Sequence, residues 1–318
     1  MPVTTELVVE LDEKDCESIL SLVDELKGTV DKIDGDAVEV VEKACINRLP
    51  RHLIEGLVAY RRDGRTNGLL FVRGIPDSIV AFRVPTPTSI GTRPYPDVGD
   101  LLLLAVGSHL GTPFSWSSYQ DGRLIQDIIP VAEFSNDQVS MSSTTELVLH
   151  VDAAFSMATP DYLGFIGIRP GAHPVPTYLS ALCDVDLEGG WSSVLFRPTE
   201  ARDCNRGEDA DVTSEFMPVL YGNGAHPYMN FDPVYFEFPD PDVAVAVSEL
   251  HNRLVSVRQE VCLSPGEMCF VDNRRVAHGR PAFTAALDGT DRYVRRACFA
   301  VSERHLAGTL EPTTLLLP

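Results

Sequence analysis

The chain has 318 residues and a formal net charge of −20, with 26 Lys and Arg against 46 Asp and Glu. Such an acidic chain repels nucleic acid and anionic membrane surfaces, so the sequence predicts neither as a partner. It contains no run of roughly 20 uncharged apolar residues that could span a bilayer, and its start lacks the basic and apolar segments of a secretory signal. We therefore expect a cytoplasmic protein whose apolar content, 44%, suffices for one large domain or two modest ones.

The seven cysteines indicate a reducing environment rather than a disulfide framework. Their number is odd and no Cys-x-x-Cys pair occurs, which argues against paired disulfides and against a zinc ribbon. We expect each thiol to act as a small apolar side chain in the core.

The first 65 residues are predicted to form a short strand followed by helices. Apolar positions alternate over residues 4–10, which is typical of a strand. Asp12 can cap a helix that ends before Gly28, and a second helical region covers about residues 36–62 with an interruption at Pro50.

Beyond residue 65 short strand-like runs dominate, bounded by Gly, Pro, Asn and Asp. They cover residues 68–73, 123–131, 146–152, 162–168 and 267–271. Helices are predicted at about residues 98–110 and after Asp240, where Pro241 occupies the first helical position. Residues 191–224 are polar and lack periodicity, which indicates a long functional loop. Many short strands with a few helices predict a β-sandwich or an open barrel with helical buttresses.

A histidine and a carboxylate, His150 and Asp152, lie at the end of one of these runs, residues 146–152. Side chains two residues apart on a strand share a face. The pair could supply two of the three ligands of a 2-His-1-carboxylate iron site. With eight histidines and 46 acidic residues in the chain, about one such pair is expected by chance, so a simple hydrogen-bonded pair stays open as the alternative.

A second motif occurs near the end of the chain, where a Pro265-Gly266 turn feeds a strand-like run that leads to His278. The run reads Val271-Asp-Asn-Arg-Arg-Val-Ala-His278-Gly-Arg280. Fourteen residues after His278 comes Arg292, within Asp288-Gly-Thr-Asp-Arg292-Tyr-Val-Arg-Arg296.

Together these motifs resemble the clavaminate-synthase-like branch of 2-oxoglutarate oxygenases, which includes the arginine and asparagine β-hydroxylases of peptide-antibiotic pathways. The resemblance covers roughly residues 68–301. It departs from the branch at Asp152, where the family usually has Glu; either carboxylate can bind iron. A shorter side chain could alter how this carboxylate also contacts the substrate.

The resemblance implies a mainly β fold with flanking helices, a distorted double-stranded β-helix of the jelly-roll or cupin type. It implies one oxygenase domain over residues 1–318, with a helical N-terminal buttress in 1–65, a core in 66–318 and a lid at about 191–224. Fe(II), 2-oxoglutarate as cosubstrate and O₂ would be the cofactors.

The same resemblance assigns roles to five residues. His150, Asp152 and His278 would bind the iron. Arg292 would hold the distal carboxylate of 2-oxoglutarate through a bidentate pair. Thr177 would help to hold 2-oxoglutarate. The competing interpretations are a surface ion pair for Arg292 and an ordinary strand threonine for Thr177.

Other residues are expected to hold the substrate. If the segment after Arg292 is a strand, Arg296 faces the same side as Arg292 while Arg295 faces the other. The resemblance assigns Arg296 to the substrate α-carboxylate, with a buried structural pair as the alternative.

Two further segments complete the expected substrate pocket. Asp232 and the neighbouring Asn230 would bind the polar side chain of the substrate, although Asp232 could simply form a turn before Pro233. Gln120 would contact the substrate amino group. The remaining six histidines match nothing in the family and are interpreted as structural or surface residues.

The resemblance therefore predicts hydroxylation at the β or γ carbon of a small polar or basic L-amino acid in secondary metabolism. Arginine, a modified arginine, lysine, citrulline and asparagine would fit. Desaturation or two successive hydroxylations use the same site and stay open. Halogenation would need a small residue in place of Asp152. A non-enzymatic jelly-roll binding protein is the alternative from another class.

Overall fold

The computed structural model describes residues 6–62, 66–76, 84–204, 214–306 and 309–318. The helices are α1 Glu13–Lys27, α2 Gly35–Cys45, α3 Arg51–Tyr60, α4 Val98–Gly107 and α5 Pro241–Val257. The strands of the first half are β1 Leu7–Glu10, β2 Leu69–Arg73, β3 Thr112–Trp116, β4 Ile125–Ile128, β5 Leu147–His150, β6 Tyr162–Arg169 and β7 Thr177–Ala181. Those of the second half are β8 Thr199–Asp203, β9 Ser214–Met217, β10 Leu220–Asn223, β11 His226–Met229, β12 Phe236–Glu237, β13 Gln259–Val261, β14 Met268–Asp272, β15 Val276–Arg280, β16 Tyr293–Ala300 and β17 Leu316–Leu317.

The predicted N-terminal helices are confirmed by their caps. The Asp12 carboxylate accepts from the backbone N–H of Asp15, the Asp15 side chain accepts from Asp12, and Gly28 caps the other end of α1. This reciprocal capping satisfies N–H groups that have no partner within the helix. The buried apolar face of α1 belongs to the same core cluster as the almost wholly buried α4. Helices α1 to α4 therefore cover one side of the molecule's largest sheet.

Two sheets form the centre of the molecule. The larger has eight strands in the order β1-β2-β14-β6-β16-β3-β17, with β4 also paired to β16. The smaller has the order β13-β7-β15-β5. Apolar side chains from both sheets, such as Phe114, Leu163 and Val276, lie in one buried cluster. The fold is therefore mainly β with flanking helices, as predicted. Within the described ranges no helix is both long enough and apolar enough to cross a bilayer.

The segment predicted as a long loop at residues 191–224 contains more structure than expected. It begins with a 3₁₀ turn, Trp191–Phe196, and continues with β8, β9 and β10. Strands β8 and β9 join β12 in a small sheet, and β10 pairs with β11. These strands have four or five residues and are rich in polar side chains, which hides any periodicity. Residues 205–213 lie outside the described part of this segment.

None of the seven cysteines, all of which lie in the described ranges, forms a disulfide, but only some of them are core residues. Cys16, Cys45, Cys269 and Cys298 are buried as expected. The expectation was wrong for the exposed thiols of Cys183, Cys204 and Cys262.

A buried ion network joins α4 to the large sheet. Arg295 on β16 is fully buried and pairs with Asp97 and Asp100 at the start of α4. Arg93 pairs with Asp100 and with Asp127 on β4. Burial raises the pKa of Asp97, but its hydrogen bond and charge pairing with Arg295 outweigh burial, and the pKa is lowered. The network neutralises charges that would otherwise be costly in the core.

We expect replacement of Arg295 to destabilise the fold strongly. Arg295→Met removes the closest partner of Asp97 and one of the two arginine partners of Asp100 in a buried site, and breaking such a pair costs about 3–5 kcal/mol. The free energy of unfolding, measured by urea titration, should fall by that amount. The control is Arg48→Ala, which removes a solvent-exposed pair with Glu25 and should cost less than about 1 kcal/mol. Equal losses in the two variants would contradict this account.

Candidate metal centre and substrate cavity

Strand pairing brings the two predicted histidine ligands together. His150 at the end of β5 lies directly opposite His278 on the antiparallel strand β15, and their ring centroids are 4.5 Å apart. Asp152 follows β5, and its Oδ1 lies 3.5 Å from Nε2 of each histidine. The three possible ligand atoms lie within 4.8 Å of one another. A single small cation could therefore contact all three.

The electrostatics of the cluster favour a bound cation. Burial raises the pKa of Asp152, but the charge of Arg296 and the hydrogen bonds from both histidines outweigh burial and hold the pKa well below its usual value. Burial and the neighbouring His150 lower the pKa of His278. The carboxylate is therefore ionised at neutral pH, while His278 is neutral and can donate a lone pair to a metal.

The orientation of His150 fits a metal ligand too. Burial lowers the pKa of His150, but the hydrogen bond and charge of Asp152 outweigh burial and the pKa is raised. The Nδ1 atom lies 2.8 Å from the backbone carbonyl of Val148 and donates to it, so Nε2, which faces Asp152, is the nitrogen that would give up its proton to a metal. Metal-binding histidines are commonly oriented by such a contact at the second ring nitrogen. Two imidazoles and one carboxylate are the donor set of non-haem iron sites that keep coordination positions open. The residues present therefore fit ferrous iron.

A cavity of about 250 Å³ adjoins this cluster and is rich in arginine. Its described lining includes the three possible metal ligands and three arginines, Arg280, Arg292 and Arg296. The other lining residues are Tyr119, Ile128, Gln138, Val139, Ser140, Leu147, Phe165, Thr177, Tyr235 and Gly279. With three guanidinium groups and one carboxylate, this cavity is suited to an anionic ligand.

Arg292 and Thr177, predicted as partners in cosubstrate binding, are in contact. Nη2 of Arg292 donates to Oγ1 of Thr177 at 2.7 Å, and Arg292 is buried. Burial and the nearby Arg280 lower the pKa of Arg292 to about 10. Within the described ranges neither Arg280 nor Arg292 has a carboxylate within 4.0 Å. Because a buried unpaired cation is costly, these two arginines mark where a ligand carboxylate can bind.

Arg296 lies in the cavity but already has protein partners. Its Nη1 donates to Oδ2 of Asp152 at 2.8 Å, and its Nε and Nη2 both donate to Oε1 of Gln126. The predicted alternation along β16 is confirmed, because Arg292 and Arg296 line the cavity while Arg295 lies in the buried ion network. A substrate carboxylate at Arg296 would therefore share this guanidinium with Asp152.

The remaining predicted substrate residues lie in different places. Asp232 is buried and lines a second cavity of about 550 Å³, which shares Tyr235 with the metal cavity. Its Oδ1 accepts from the backbone N–H groups of Val234 and Tyr235, so it also forms the turn considered as an alternative. The amide of Asn230 donates to the carbonyl of Pro218, and Asn230 lines neither cavity in the described structure. Its contact with the substrate stays a prediction.

Gln120 lies outside the cavity lining in the described structure, and its contact with the substrate amino group stays a prediction. Its side-chain amide bonds at both ends to the backbone of Asp127, by donating to the carbonyl and accepting from the N–H. These two bonds hold the Gln120 side chain against the backbone of Asp127, while its neighbour Tyr119 lines the metal cavity. The sequence could not show this contact, since it depends on the position of strand β4.

Sequence reasoning also missed Arg280, Tyr119 and Tyr235 as cavity residues. Arg280 follows His278 by two positions on β15, and the alternation of side chains along a strand could have identified it. Tyr235 gave no such signal, because its position depends on the turn formed by Asp232.

A facial arrangement of two histidines and a carboxylate, beside an arginine-lined cavity in a mainly β fold, defines the class of non-haem iron oxygenases. The chain is 28% identical to the enduracididine beta-hydroxylase of Streptomyces hygroscopicus, with 91% of this chain and 93% of that protein covered. It is 28% identical to the L-asparagine oxygenase of Streptomyces coelicolor, with 96% and 92% covered. Clavaminate synthase 2 of Streptomyces clavuligerus is 26% identical, with 80% of each covered. No protein-family profile matches the sequence.

Solved structures of non-haem iron oxygenases are also similar to this chain. The non-haem iron oxygenase OrfP, in complex with Fe and alpha-ketoglutaric acid, has a TM-score of 0.87 and 29% identity, with 99% of this chain and 100% of that chain covered. Asparagine oxygenase in complex with Fe(II), 3-hydroxyasparagine and succinate also has a TM-score of 0.87, at 26% identity, with 98% and 99% covered. The predicted resemblance is therefore confirmed. The chain is an iron- and 2-oxoglutarate-dependent oxygenase that resembles the clavaminate-synthase-like branch, and the predicted enzyme class and cofactors are confirmed.

The geometry predicts that His278 is needed for metal binding. His278→Ala removes one of three converging donors, so the affinity for Co²⁺, measured by absorbance titration of the metal-free protein, should fall by more than about 100-fold. That exceeds the roughly 10–100-fold effect of losing an outer contact. His52→Ala is the control, because His52 lies on α3 and its described salt bridge is with Asp15. Co²⁺ binding by the folded His278→Ala variant at the original affinity would contradict the assignment.

Proposed function

We propose that the enzyme hydroxylates the β or γ carbon of a free polar or basic L-amino acid in secondary metabolism. The observation that carries the proposal is the convergence of His150, Asp152 and His278 at a cavity lined by three arginines. The names of the relatives support an amino-acid substrate, since they include enduracididine and asparagine. The lack of disulfides among the seven described cysteines supports a cytoplasmic setting.

The two facing sheets are, in this proposal, the distorted double-stranded β-helix of the jelly-roll or cupin type. The whole chain, 1–318, is one oxygenase domain. Residues 1–65 are its helical buttress, and residues 66–318 form the core with a lid at about 191–224. The apolar cluster shared by both sheets and the packing of α1 against α4 support this arrangement.

His150, Asp152 and His278 hold the iron in this proposal. Bound iron would supply the oxidation chemistry, in which O₂ and 2-oxoglutarate would be consumed, succinate and CO₂ formed, and a hydroxyl group placed on the substrate. The protein's contribution is orientation and exclusion of water. Asp152 also argues against halogenation, because its carboxylate occupies the position that such chemistry would need to leave open.

The cosubstrate is held by Arg292 and Thr177 in this proposal. The Thr177 hydroxyl accepts from one guanidinium nitrogen and so fixes the plane of the Arg292 fork. A planar fork of this kind forms two parallel hydrogen bonds with a carboxylate. Arg280, which also lines the cavity, adds a second buried positive charge for the dianionic cosubstrate.

The substrate amino acid lies between Arg296 and Asp232. Its α-carboxylate pairs with Arg296, while its amino group lies beside Asp152. The distal end of its side chain then extends past Tyr235, which lines both cavities, towards Asp232. Asn230 supports the backbone near Asp232 through its bond to Pro218. Binding at both ends favours a side chain that ends in a cation or a hydrogen-bond donor.

Two successive hydroxylations are a second candidate. A structure of OrfP contains succinate and (3R,4R)-dihydroxy-L-Arg, and the same arrangement of residues would allow a second oxidation here. Mass spectrometry of the product separates one added oxygen atom from two.

Replacement of Arg292 tests cosubstrate binding. Arg292→Ala removes the bidentate partner of a buried carboxylate, which is worth about 2–5 kcal/mol. The concentration of 2-oxoglutarate that half-saturates succinate release should therefore rise by roughly tens- to thousands-fold. Arg292→Lys is the matched control, because it keeps the charge but loses the fork, and it should give an intermediate value. An unchanged requirement in Arg292→Ala would assign the cosubstrate to another residue.

Substrate preference tests the role of Asp232. Arginine, lysine, citrulline, asparagine and glutamine should gain oxygen in an iron- and 2-oxoglutarate-dependent assay, whereas leucine and glutamate should react poorly. Asp232→Asn keeps an acceptor for the turn at Val234 but removes the charge. The preference for cationic over neutral side chains should then fall by roughly ten- to a hundred-fold, which is the worth of a hydrogen bond to a charged group.

Exposed Asp184 provides the control for this experiment, as Asp184→Asn should leave the preference unchanged. A best substrate with an aliphatic side chain, or an Asp232→Asn enzyme with the wild-type preference, would refute this account of the pocket.

A further inference from the structure

We propose that Asn273 is a positioning residue whose buried amide fixes the backbone of Asp152 and thereby holds the carboxylate against His150 and His278. The inference rests on the proposed function, because it takes Asp152 as a metal ligand. Asn273 does not line the metal cavity in the described structure, and so it acts through Asp152 alone.

The contacts of Asn273 are specific to an amide. Its Oδ1 accepts from the N–H of Asp152 at 2.8 Å, and its Nδ2 donates to the carbonyl of Asp152 at 3.0 Å. The same Nδ2 donates to the carbonyl of Pro160 at 3.1 Å. Asn273 is fully buried. An amide supplies one acceptor and two donors, and here each is matched to a backbone group around the ligand.

Asp152 needs these hydrogen bonds from Asn273 because it lies beyond the end of the sheet. Strand β5 stops at His150, and Asp152 begins a turn. In this turn Ala153 and Phe155 have φ of +51° and +54°, a region that side chains other than glycine rarely adopt. A backbone of this kind persists only when its surroundings hold it. No ladder hydrogen bond of β5 reaches Asp152 in the described pairing, so side-chain contacts determine its position.

The location of Asn273 also joins the two ligand segments. It lies between β14 and β15, five residues before His278 on the same chain segment. Its backbone N–H donates to the carbonyl of Asp161, which follows the Asp152 turn. One residue therefore links the turn that carries the carboxylate to the connection that leads to the second histidine.

The test compares metal binding by Asn273→Asp and Asn273→Ala with that of the wild-type enzyme. Asn273→Asp keeps the acceptor for the Asp152 N–H but places an oxygen against the two carbonyl groups. Co²⁺ is titrated into each metal-free protein and followed by absorbance, and thermal unfolding is measured with and without Co²⁺. We expect a 10–100-fold loss of Co²⁺ affinity in both variants, as for other outer contacts of metal ligands, and a smaller rise in melting temperature on metal addition.

Two reference variants make the outcome decisive. Asn67→Ala removes another buried asparagine, whose Oδ1 accepts from the N–H of Leu69, and should leave the Co²⁺ affinity unchanged. Asp152→Ala tests the underlying proposal, because normal Co²⁺ binding in that variant would overturn the ligand set itself. If Asp152→Ala loses the metal while Asn273→Asp binds it as tightly as wild type, only the role of Asn273 is refuted. Failure of both Asn273 variants to fold would also refute it, since Asn273 would then be a general determinant of folding.

Discussion

The pairing of β5 with β15 is the interaction on which the rest of the centre depends, because it sets His150 directly opposite His278. A slip of one residue would turn one imidazole to the other face of the sheet. Gly279 makes this register possible, since a Cβ at that position would lie 2.5 Å from the carbonyl oxygen of Leu147. The pairing becomes irregular after His278, and Arg280 then lines the same cavity. The strand contact thus places a metal ligand and a cation beside each other.

Charge is distributed between two regions on opposite sides of β16. Arg295 lies in a core network in which nearby aspartates compensate each arginine. Arg292 and Arg296 face the cavity, where Asp152 is the lining carboxylate in the described structure. The protein therefore pairs the arginines of this network with its own carboxylates and leaves an excess of positive charge in the cavity lining, where anionic ligands can enter. Because a buried charge without a partner is costly, that excess indicates function more clearly than the presence of arginine alone.

Patterns among residues close in sequence correctly predicted the features that depend only on such residues. The caps at Asp12 and Asp240 and the alternation along β16 are of this kind, and each agrees with the structure. The position of Gln120 could not be predicted in this way. Its side-chain amide bonds to the backbone of Asp127, and this contact forms only when β4 is in place. The short strands at residues 191–224 were missed for a related reason. Their stability comes from pairing with β11 and β12, and their own sequences carry little pattern.

Arg296 links the substrate pocket to the metal ligands through a single side chain. Its guanidinium pairs with Asp152 and with Gln126, and this pairing contributes to the low pKa of the Asp152 carboxyl. In the proposed complex the α-carboxylate of the substrate shares this guanidinium and adds negative charge beside Asp152. Substrate binding then weakens the ion pair between Arg296 and the Asp152 carboxylate. More of the negative charge of Asp152 is then available to the metal. In that complex Arg296 would couple substrate binding to the proposed metal ligand Asp152 through one side chain.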